Sequence, residues 1–133
     1  PEIARTFAED LLSAVGKTTW VTNEDQMHAV TAASGSSPAY FFQFLEAMQQ
    51  GLIEMGLDEK QSRELVQQAM LGSEKLVIEN NQTALSTLRE NVTSKGGTTA
   101  AALNVFNQYQ FNDIIKQAMQ ACVARSQEME KLF

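Results

Sequence analysis

The sequence predicts an all-α fold, a bundle of six or seven helices with one short N-terminal strand. Three observations lead to this prediction. Apolar residues recur every three or four positions along most of the chain, cap residues stand at the ends of these segments, and β-branched residues cluster at only one place. With 133 residues, 44% of them hydrophobic, and two prolines, the chain has the composition of one globular unit.

The N-terminal segment is predicted to be a helix followed by the strand. Residues 3–15 carry apolar side chains at helical spacing and stop at Gly16, a residue suited to end a helix. Residues 17–22 read Lys-Thr-Thr-Trp-Val-Thr, and this β-branched content predicts a strand. Because one strand cannot pair by itself, it would have to join a sheet that this chain does not contain.

The next two helices are predicted from their caps. Thr22 or Asn23 can cap a helix that runs through Ala33. Ser37 as N-cap and Pro38 at the first helical position then begin a long helix. It is predicted to end at Met55, before Gly56.

Four more helices follow, the first capped by Asp58 with Gln61 completing a capping box. They are predicted to run from Asp58 to about Asn80, from about Ala84 to Asn91, from Thr98 to about Asn107, and from about Asn112 to Leu132. The apolar stripes on the helices that begin at Pro38 and Asn112 exceed what a small bundle needs. This excess predicts that these long helices pack against a second copy of the chain.

Charge and composition exclude several classes of function. The net charge is -6, and the ten basic residues are scattered, so the chain lacks the basic patch of a nucleic-acid-binding protein. No apolar run approaches the roughly 20 residues that span a bilayer, and no signal peptide is recognisable. We therefore expect a cytoplasmic protein, and the single cysteine, Cys122, which cannot form an internal disulfide, agrees with a reducing compartment.

The usual signatures of cofactor and metal sites are missing from the sequence. There is no Gly-x-Gly-x-x-Gly fingerprint for a dinucleotide, and His, Cys and carboxylates do not show metal-ligand spacing. Cys122 and the single histidine, His28, leave a thiol enzyme as an alternative, although composition favours a small core residue and a boundary imidazole.

One loop has the features of an anion site. Two glycines precede the helix that begins at Thr98, and the amides of Gly97, Thr98 and Thr99 would point towards one spot at its positive end. Ser94 adds a hydroxyl and Lys95 a charge. A carboxylate or phosphate is the expected ligand, and an ordinary capped helix start is the alternative.

Two stretches carry a resemblance to a known family. Residues 34–40, Ser-Gly-Ser-Ser-Pro-Ala-Tyr, and residues 92–101, Val-Thr-Ser-Lys-Gly-Gly-Thr-Thr-Ala-Ala, resemble the signature stretches of pyrroline-5-carboxylate reductase, the last enzyme of proline biosynthesis. The resemblance extends over nearly the whole chain. It implies that residues 1–22 are the tail of an otherwise absent nucleotide-binding Rossmann domain and that residues 23–133 are a helical dimerisation and substrate-clamping domain.

The resemblance also implies an activity and its participants. The family reduces 1-pyrroline-5-carboxylate to proline with NADH or NADPH, which the missing N-terminal domain would bind. This chain alone is therefore expected to be an inactive part of an oxidoreductase. The resemblance also implies a homodimer in which the two helical domains interleave, or a higher oligomer. A helical homodimerisation module without substrate binding and a divergent imino-acid reductase are the alternatives.

Carried over by resemblance, the loop residues receive specific roles. Gly97, Thr98 and Thr99 would hold the substrate carboxylate with their amides, and Ser94 would add a polar contact. The Thr99 hydroxyl would face the ring nitrogen and act as the catalytic group, because that nitrogen becomes an amine during reduction.

Two positions depart from the family pattern. Lys95 stands where the family usually has proline, and Ser37 where it usually has glycine. Loss of the proline removes a restriction on the loop backbone. Lys95 either compensates by attracting the carboxylate or indicates a different imino acid as substrate.

Overall fold

A computed structural model describes residues 1–132 and confirms the all-α fold. The described helices are α1 (Glu2–Ser13), α2 (Gln26–Val30), α3 (Ser37–Glu54), α4 (Glu59–Glu79), α5 (Leu85–Asn91), α6 (Thr98–Gln108) and α7 (Phe111–Glu130), and a π-helical turn (Thr31–Gly35) joins α2 to α3. Each predicted helix is present, with ends shifted by a few residues.

The predicted strand is not present in the described residues. Residues 17–22 lie between α1 and α2 without regular secondary structure. Their backbone groups have no neighbouring strand with which to form a ladder, and a strand requires one. β-branched content therefore predicted a conformation that the chain does not stabilise alone.

The connection from α2 to α3 contains the main local departure from prediction. The Ser36 amide donates to the Thr31 carbonyl at 2.9 Å, five residues back, which is the hydrogen bond of a π-helix. Ser36 is the N-cap residue of α3, whereas the Ser37 hydroxyl donates back to the Ala33 carbonyl at 2.7 Å. The prediction of Ser37 as N-cap is therefore wrong, because its hydroxyl is engaged by the widened turn.

The end of α3 follows the prediction closely. Gly56 has a φ of 100°, a left-handed conformation that favours glycine. Its amide donates to the Ile53 carbonyl at 3.0 Å, and the Leu57 amide donates to the Leu52 carbonyl at 3.1 Å. This pair of bonds is a Schellman motif, which reverses the chain so that α4 returns along α3.

The start of α4 confirms Asp58 as the cap but not the full capping box, because within residues 1–132 the Gln61 side chain accepts no hydrogen bond from the Asp58 amide. The Asp58 carboxylate accepts a hydrogen bond from the Gln61 amide at 2.8 Å. The Ser62 hydroxyl is buried and donates to the Asp58 carbonyl at 2.8 Å. One turn later, the Val66 side chain is 2% exposed.

Packing between helices consists of two main contacts, besides a smaller one between α6 and α7. In one, α3 lies against α4; in the other, α2 and the π-helical turn lie against α7, where Ala32 is 1% exposed. Three aromatic rings link α3, α6 and α7. The centre of the Phe44 ring lies 6.3 Å from the ring centres of Phe106 and Phe111, and the Phe106 and Phe111 rings stack with their centres 5.2 Å apart. The fold is an open array of paired helices.

The surface of the chain is unusually large for its size. The chain exposes 11230 Å², whereas a compact monomer of 14.7 kDa exposes about 6900 Å². Large apolar side chains on several helices account for part of this area, including Phe41 and Phe42 on α3 and Ile114 on α7. The single chain therefore leaves much apolar surface uncovered. None of the described helices has the length and apolarity needed to cross a bilayer.

Candidate functional site

The predicted site lies at the N-terminus of α6. A tight turn precedes the helix, in which the Gly97 amide donates to the Ser94 carbonyl at 3.0 Å. Gly96 has a φ of 72° within this turn, a value that favours glycine. A Cβ at Gly97 would lie 3.2 Å from the Ser94 carbonyl oxygen, so the turn is close-packed at Gly97, whereas Gly96 is required by its backbone conformation alone.

The first turn of α6 presents free backbone amides. Gly97 is the N-cap residue, and because it has no side chain it forms no side-chain cap hydrogen bond. The first hydrogen bond of the helix runs from the Ala101 amide to the Gly97 carbonyl at 3.1 Å. Within residues 1–132, the amides of Thr98, Thr99 and Ala100 have no acceptor. Three donors therefore point out of the positive end of the helix, where an anion binds favourably.

The structure replaces one of the three backbone amides predicted to bind an anion. The Gly97 amide is used inside the turn, so it is Ala100, which sequence reasoning did not single out, that presents the third free donor. The rule that an α-helix leaves its first amides unbonded could have identified Ala100 once the helix start was known.

Side chains around this turn are exposed. The hydroxyls of Ser94, Thr98 and Thr99 form no hydrogen bond within the described chain, and Lys95 forms no ion pair there. By contrast, the Thr93 hydroxyl donates to the Arg89 carbonyl at 2.6 Å and fixes the turn to the end of α5. The predicted polar groups thus lie together and are available to a ligand.

A second concave surface lies elsewhere in the fold. It is an open groove of about 650 Å³ between α7 and the segment formed by α2 and the π-helical turn. Its walls are mainly apolar and include Ala29, Phe111, Ile115, Met119 and Val123. Its chemistry fits another apolar helix better than a charged ligand.

His28 and Cys122 have separate partners. The His28 Nδ1 lies 2.8 Å from the Ser126 Oγ, and its Nε2 lies 3.1 Å from the Glu130 carboxylate. The Cys122 thiol donates to the Ser36 hydroxyl at 3.2 Å. No hydrogen bond joins the histidine to the cysteine, so the structure does not assemble the pair that a thiol enzyme would need.

Cys122 and Tyr40 influence each other's protonation. The Ser36 hydroxyl, and secondarily the nearby Tyr40 hydroxyl, lower the pKa of the Cys122 thiol. The Cys122 thiol in turn raises the pKa of Tyr40, whose buried hydroxyl oxygen has no partner with good hydrogen-bond geometry. The cluster links the π-helical turn, α3 and α7, and it lies apart from the α6 turn in sequence and contacts.

Comparison with known proteins gives a consistent result. The family described as pyrroline-5-carboxylate reductase dimerisation matches residues 24–129. A pyrroline-5-carboxylate reductase of Haemophilus influenzae is 74% identical over 97% of this chain and 48% of its own length. One of Pasteurella multocida is 67% identical over 96% of this chain and 46% of its own length.

Solved structures give the same family. A pyrroline-5-carboxylate reductase of Coxiella burnetii superposes with a TM-score of 0.91 at 34% identity, covering 96% of this chain and 47% of that one. A pyrroline carboxylate reductase of Plasmodium falciparum with NADP bound superposes with a TM-score of 0.85 at 27% identity, covering 97% and 48%.

The chain spans about half the length of the relatives it matches. Within that span, the matched residues include α2 to α7 and the glycine turn before α6. On this evidence, the chain belongs to the pyrroline-5-carboxylate reductase dimerisation family.

Proposed function

We propose that this chain is the dimerisation and substrate-binding part of an enzyme that reduces 1-pyrroline-5-carboxylate to proline with NADH or NADPH. The observation that carries the proposal is the family match over residues 24–129, together with the reductase names of relatives up to 74% identical. The proposed setting is the cytoplasm, on the sequence grounds given above.

The α6 turn supports a role in substrate binding. The substrate is a five-membered imine that bears a carboxylate, and free amides at a helix N-terminus are suited to such an anion. The amides of Thr98, Thr99 and Ala100 would hold the carboxylate, with Ser94 as a polar contact and Gly97 allowing the close approach of the backbone.

Thr99 is the proposed catalytic group. Reduction places a hydride on the carbon of the C=N bond and a proton on the nitrogen, and the nicotinamide cofactor supplies the hydride. The exposed Thr99 hydroxyl can accept a hydrogen bond from the protonated imine and orient it. It can also relay a proton as the nitrogen becomes an amine.

The cofactor would be held by a part of the enzyme outside this chain. A dinucleotide-binding fold needs a Gly-x-Gly-x-x-Gly turn after a strand, and residues 1–132 contain neither this sequence nor a strand. We assign residues 1–22 to the tail of that nucleotide-binding part, because α1 exposes Ile3, Phe7 and Leu11 along one face. Such a face normally packs against a sheet or another helix.

A second copy of the chain is the proposed partner. The excess of about 4300 Å² over a compact monomer is the scale of a large, obligate dimer interface. The apolar groove beside α7 and the exposed phenylalanines of α3 offer surfaces for the mutual insertion of helices.

A titration tests the substrate site. Proline or a cyclic carboxylate analogue is added to the isotope-labelled chain, and the amide signals of Thr98, Thr99 and Ala100 are followed. We expect these three to shift, while Gly72, inside α4, stays unchanged. If they remain still, also in the longer enzyme that carries its nucleotide-binding part, the chain is a dimerisation module without a substrate site.

Activity provides the second test. The chain alone should not reduce the substrate, and the longer enzyme should. In that enzyme, we expect Thr99→Ala to lower kcat and Thr99→Ser, which keeps the hydroxyl, to restore most of it. Equal activity of the two variants would remove Thr99 from the proposed chemistry. Activity on another imino acid in preference to 1-pyrroline-5-carboxylate would identify a divergent reductase.

A further inference from the structure

Two side chains of the connector between α1 and α2 contact α1: Thr18, whose hydroxyl lies 3.4 Å from the Ser13 hydroxyl, and Trp20. The Arg5 guanidinium carbon lies 4.4 Å from the centre of the Trp20 ring, a cation–π contact. The Trp20 Nε1 donates to the Glu9 carboxylate at 3.2 Å. Since Arg5 and Glu9 are one helical turn apart, the Trp20 indole contacts two successive turns of α1.

The same connector is fastened to α2 two residues later. The Gln26 side-chain carbonyl accepts from the Thr22 amide at 2.7 Å and from the Thr22 hydroxyl at 3.1 Å. The Asn23 side chain in return accepts from the Gln26 amide at 3.1 Å. These bonds tie residues 22 and 23 to Gln26, the first residue of α2.

Little else positions α1. Within residues 1–132, no side-chain hydrogen bond or ion pair joins α1 to another helix. The backbone groups of residues 16–21 also form no hydrogen bond in the described chain. The direction in which α1 leaves the other helices therefore depends on the side-chain contacts at the two ends of the connector.

We propose that Trp20 and Thr22 form a two-sided clasp that fixes this direction, with Val21 as the single pivot between them. The clasp consists of Arg5, Glu9 and Trp20 on one side, and of Thr22 and Gln26 on the other. Because hinges confine motion to a few connector positions, such a clasp makes the connector a stiff hinge. In the proposed enzyme, it limits how far the nucleotide-binding part swings relative to the substrate turn, an implication that rests on the proposed function.

Time-resolved fluorescence anisotropy tests the α1 side, because Trp20 is the only tryptophan of the chain. We expect the wild-type indole to rotate with the whole particle. The double variant Arg5→Met, Glu9→Met, which removes both the cation and the acceptor, should add a fast component from free ring motion. Asp10→Asn, a charge change on the same helix away from the indole, should not. A large fast component in the wild type would overturn the proposal.

Distances between spin labels test the hinge itself. Labels are placed at Asp10→Cys on α1 and Glu46→Cys on α3 in a Cys122→Ser background, and labelled chains are diluted with unlabelled ones. We expect a narrow distance distribution that broadens with Trp20→Ala and with Gln26→Ala, and less with Trp20→Phe, which keeps a ring over Arg5. Circular dichroism checks that each variant is folded.

Equal widths in all folded variants would overturn the clasp. This result is separable from the proposed function, because the amide shifts of Thr98 and Thr99 on proline binding do not depend on the direction of α1. The clasp can fail while the substrate site stands, and the reverse also holds.

Discussion

At the scale of single residues, two glycines decide the shape of the turn before α6. Gly96 takes a left-handed backbone conformation, and Gly97 leaves too little space for a Cβ beside Ser94. Both requirements are local, which is why the sequence Ser-Lys-Gly-Gly-Thr-Thr already indicated a special loop. Lys95 belongs to the same turn and is exposed, and it precedes the residues with free amides by only a few positions.

We expect Gly96→Ala to destabilise the chain by about 1–2 kcal/mol, the cost of a left-handed conformation for an L-residue with a Cβ. The matched control is Gly72→Ala inside α4, where a Cβ would meet nothing within 4 Å. This control should raise stability by up to about 1 kcal/mol through helix propensity. Chemical denaturation of both variants measures the difference, and a similar loss for both would contradict the assigned role of Gly96.

The Cys122 thiol gives a prediction about pH. Because the Ser36 hydroxyl lowers the pKa of Cys122, Ser36→Ala should move the titration of the thiol to higher pH. Tyr40→Phe should produce a smaller move in the same direction, since Tyr40 is the second cause. The ultraviolet absorbance of the thiolate against pH measures both, and an unchanged titration in Ser36→Ala would contradict the assignment.

The lowered pKa of Cys122 also makes the folding stability depend on pH. A lowered pKa in the folded state means that the unfolded chain holds the thiol proton over a pH range where the folded chain has lost it. Folding stability from this group therefore rises with pH between the folded and the unfolded pKa, and is lost as pH falls through the folded pKa. The Ser36→Ala variant should show a flatter dependence in that range.

At the scale of helices, caps decide most of the boundaries. The Schellman motif at Gly56 and the Asp58 cap of α4 each involve residues only a few positions apart. The local sequence therefore predicted the end of α3 and the start of α4. The π-helical turn was not predictable in this way, because Ala32 is held there by packing against α7. Cap residues and apolar periodicity therefore predicted the helices but not the π-helical turn between α2 and α3.

Removal of the α4 cap gives a prediction at this scale. Asp58→Ala should cost about 1 kcal/mol, because the Gln61 amide loses its acceptor. Asp58→Asn keeps a side-chain oxygen and should recover most of that stability. Thermal unfolding followed by circular dichroism measures both variants, and an Asn variant no better than Ala would mean that the cap hydrogen bond is not the cause.

At the scale of the whole molecule, the sequence indicated the uncovered apolar faces but not the contacts between distant segments. Exposed apolar stripes were visible as periodic residues on α3 and α7. The link from His28 to Ser126 joins residues 98 positions apart, and no sequence pattern announces it. The grip of Trp20 on α1 was missed for a related reason: the prediction treated residues 17–22 as a strand and not as a connector.

The exposed surface predicts how the chain behaves in solution. Light scattering should give about twice 14.7 kDa, and the melting temperature should rise with protein concentration, as expected when folding and association are coupled. Phe42→Glu, at a side chain 68% exposed in the single chain, should shift the mass towards the monomer and reduce the helical signal.

Lys60→Glu is the matched control for this prediction, because Lys60 is highly exposed and belongs to a weak surface pair with Glu64. It should leave mass and melting unchanged. A stable, well-folded monomer for the wild-type chain at all concentrations would contradict the proposed dimer.

The π-helical turn has a consequence for how this chain tolerates genetic change. A π-helical turn holds one residue more than an α-helical turn, so loss of a single codon between Thr31 and Gly35 would allow α2 to continue regularly into α3. A π-helical turn and the α-helical turn that replaces it each complete about one revolution, so this deletion would leave α3 close to its present orientation relative to α2. Loss of a residue inside α3 before Phe44 would instead rotate the following residues by about 100°, and Phe44 would leave its two aromatic neighbours. An in-frame deletion should therefore be less harmful within the π-helical turn than within the first half of α3.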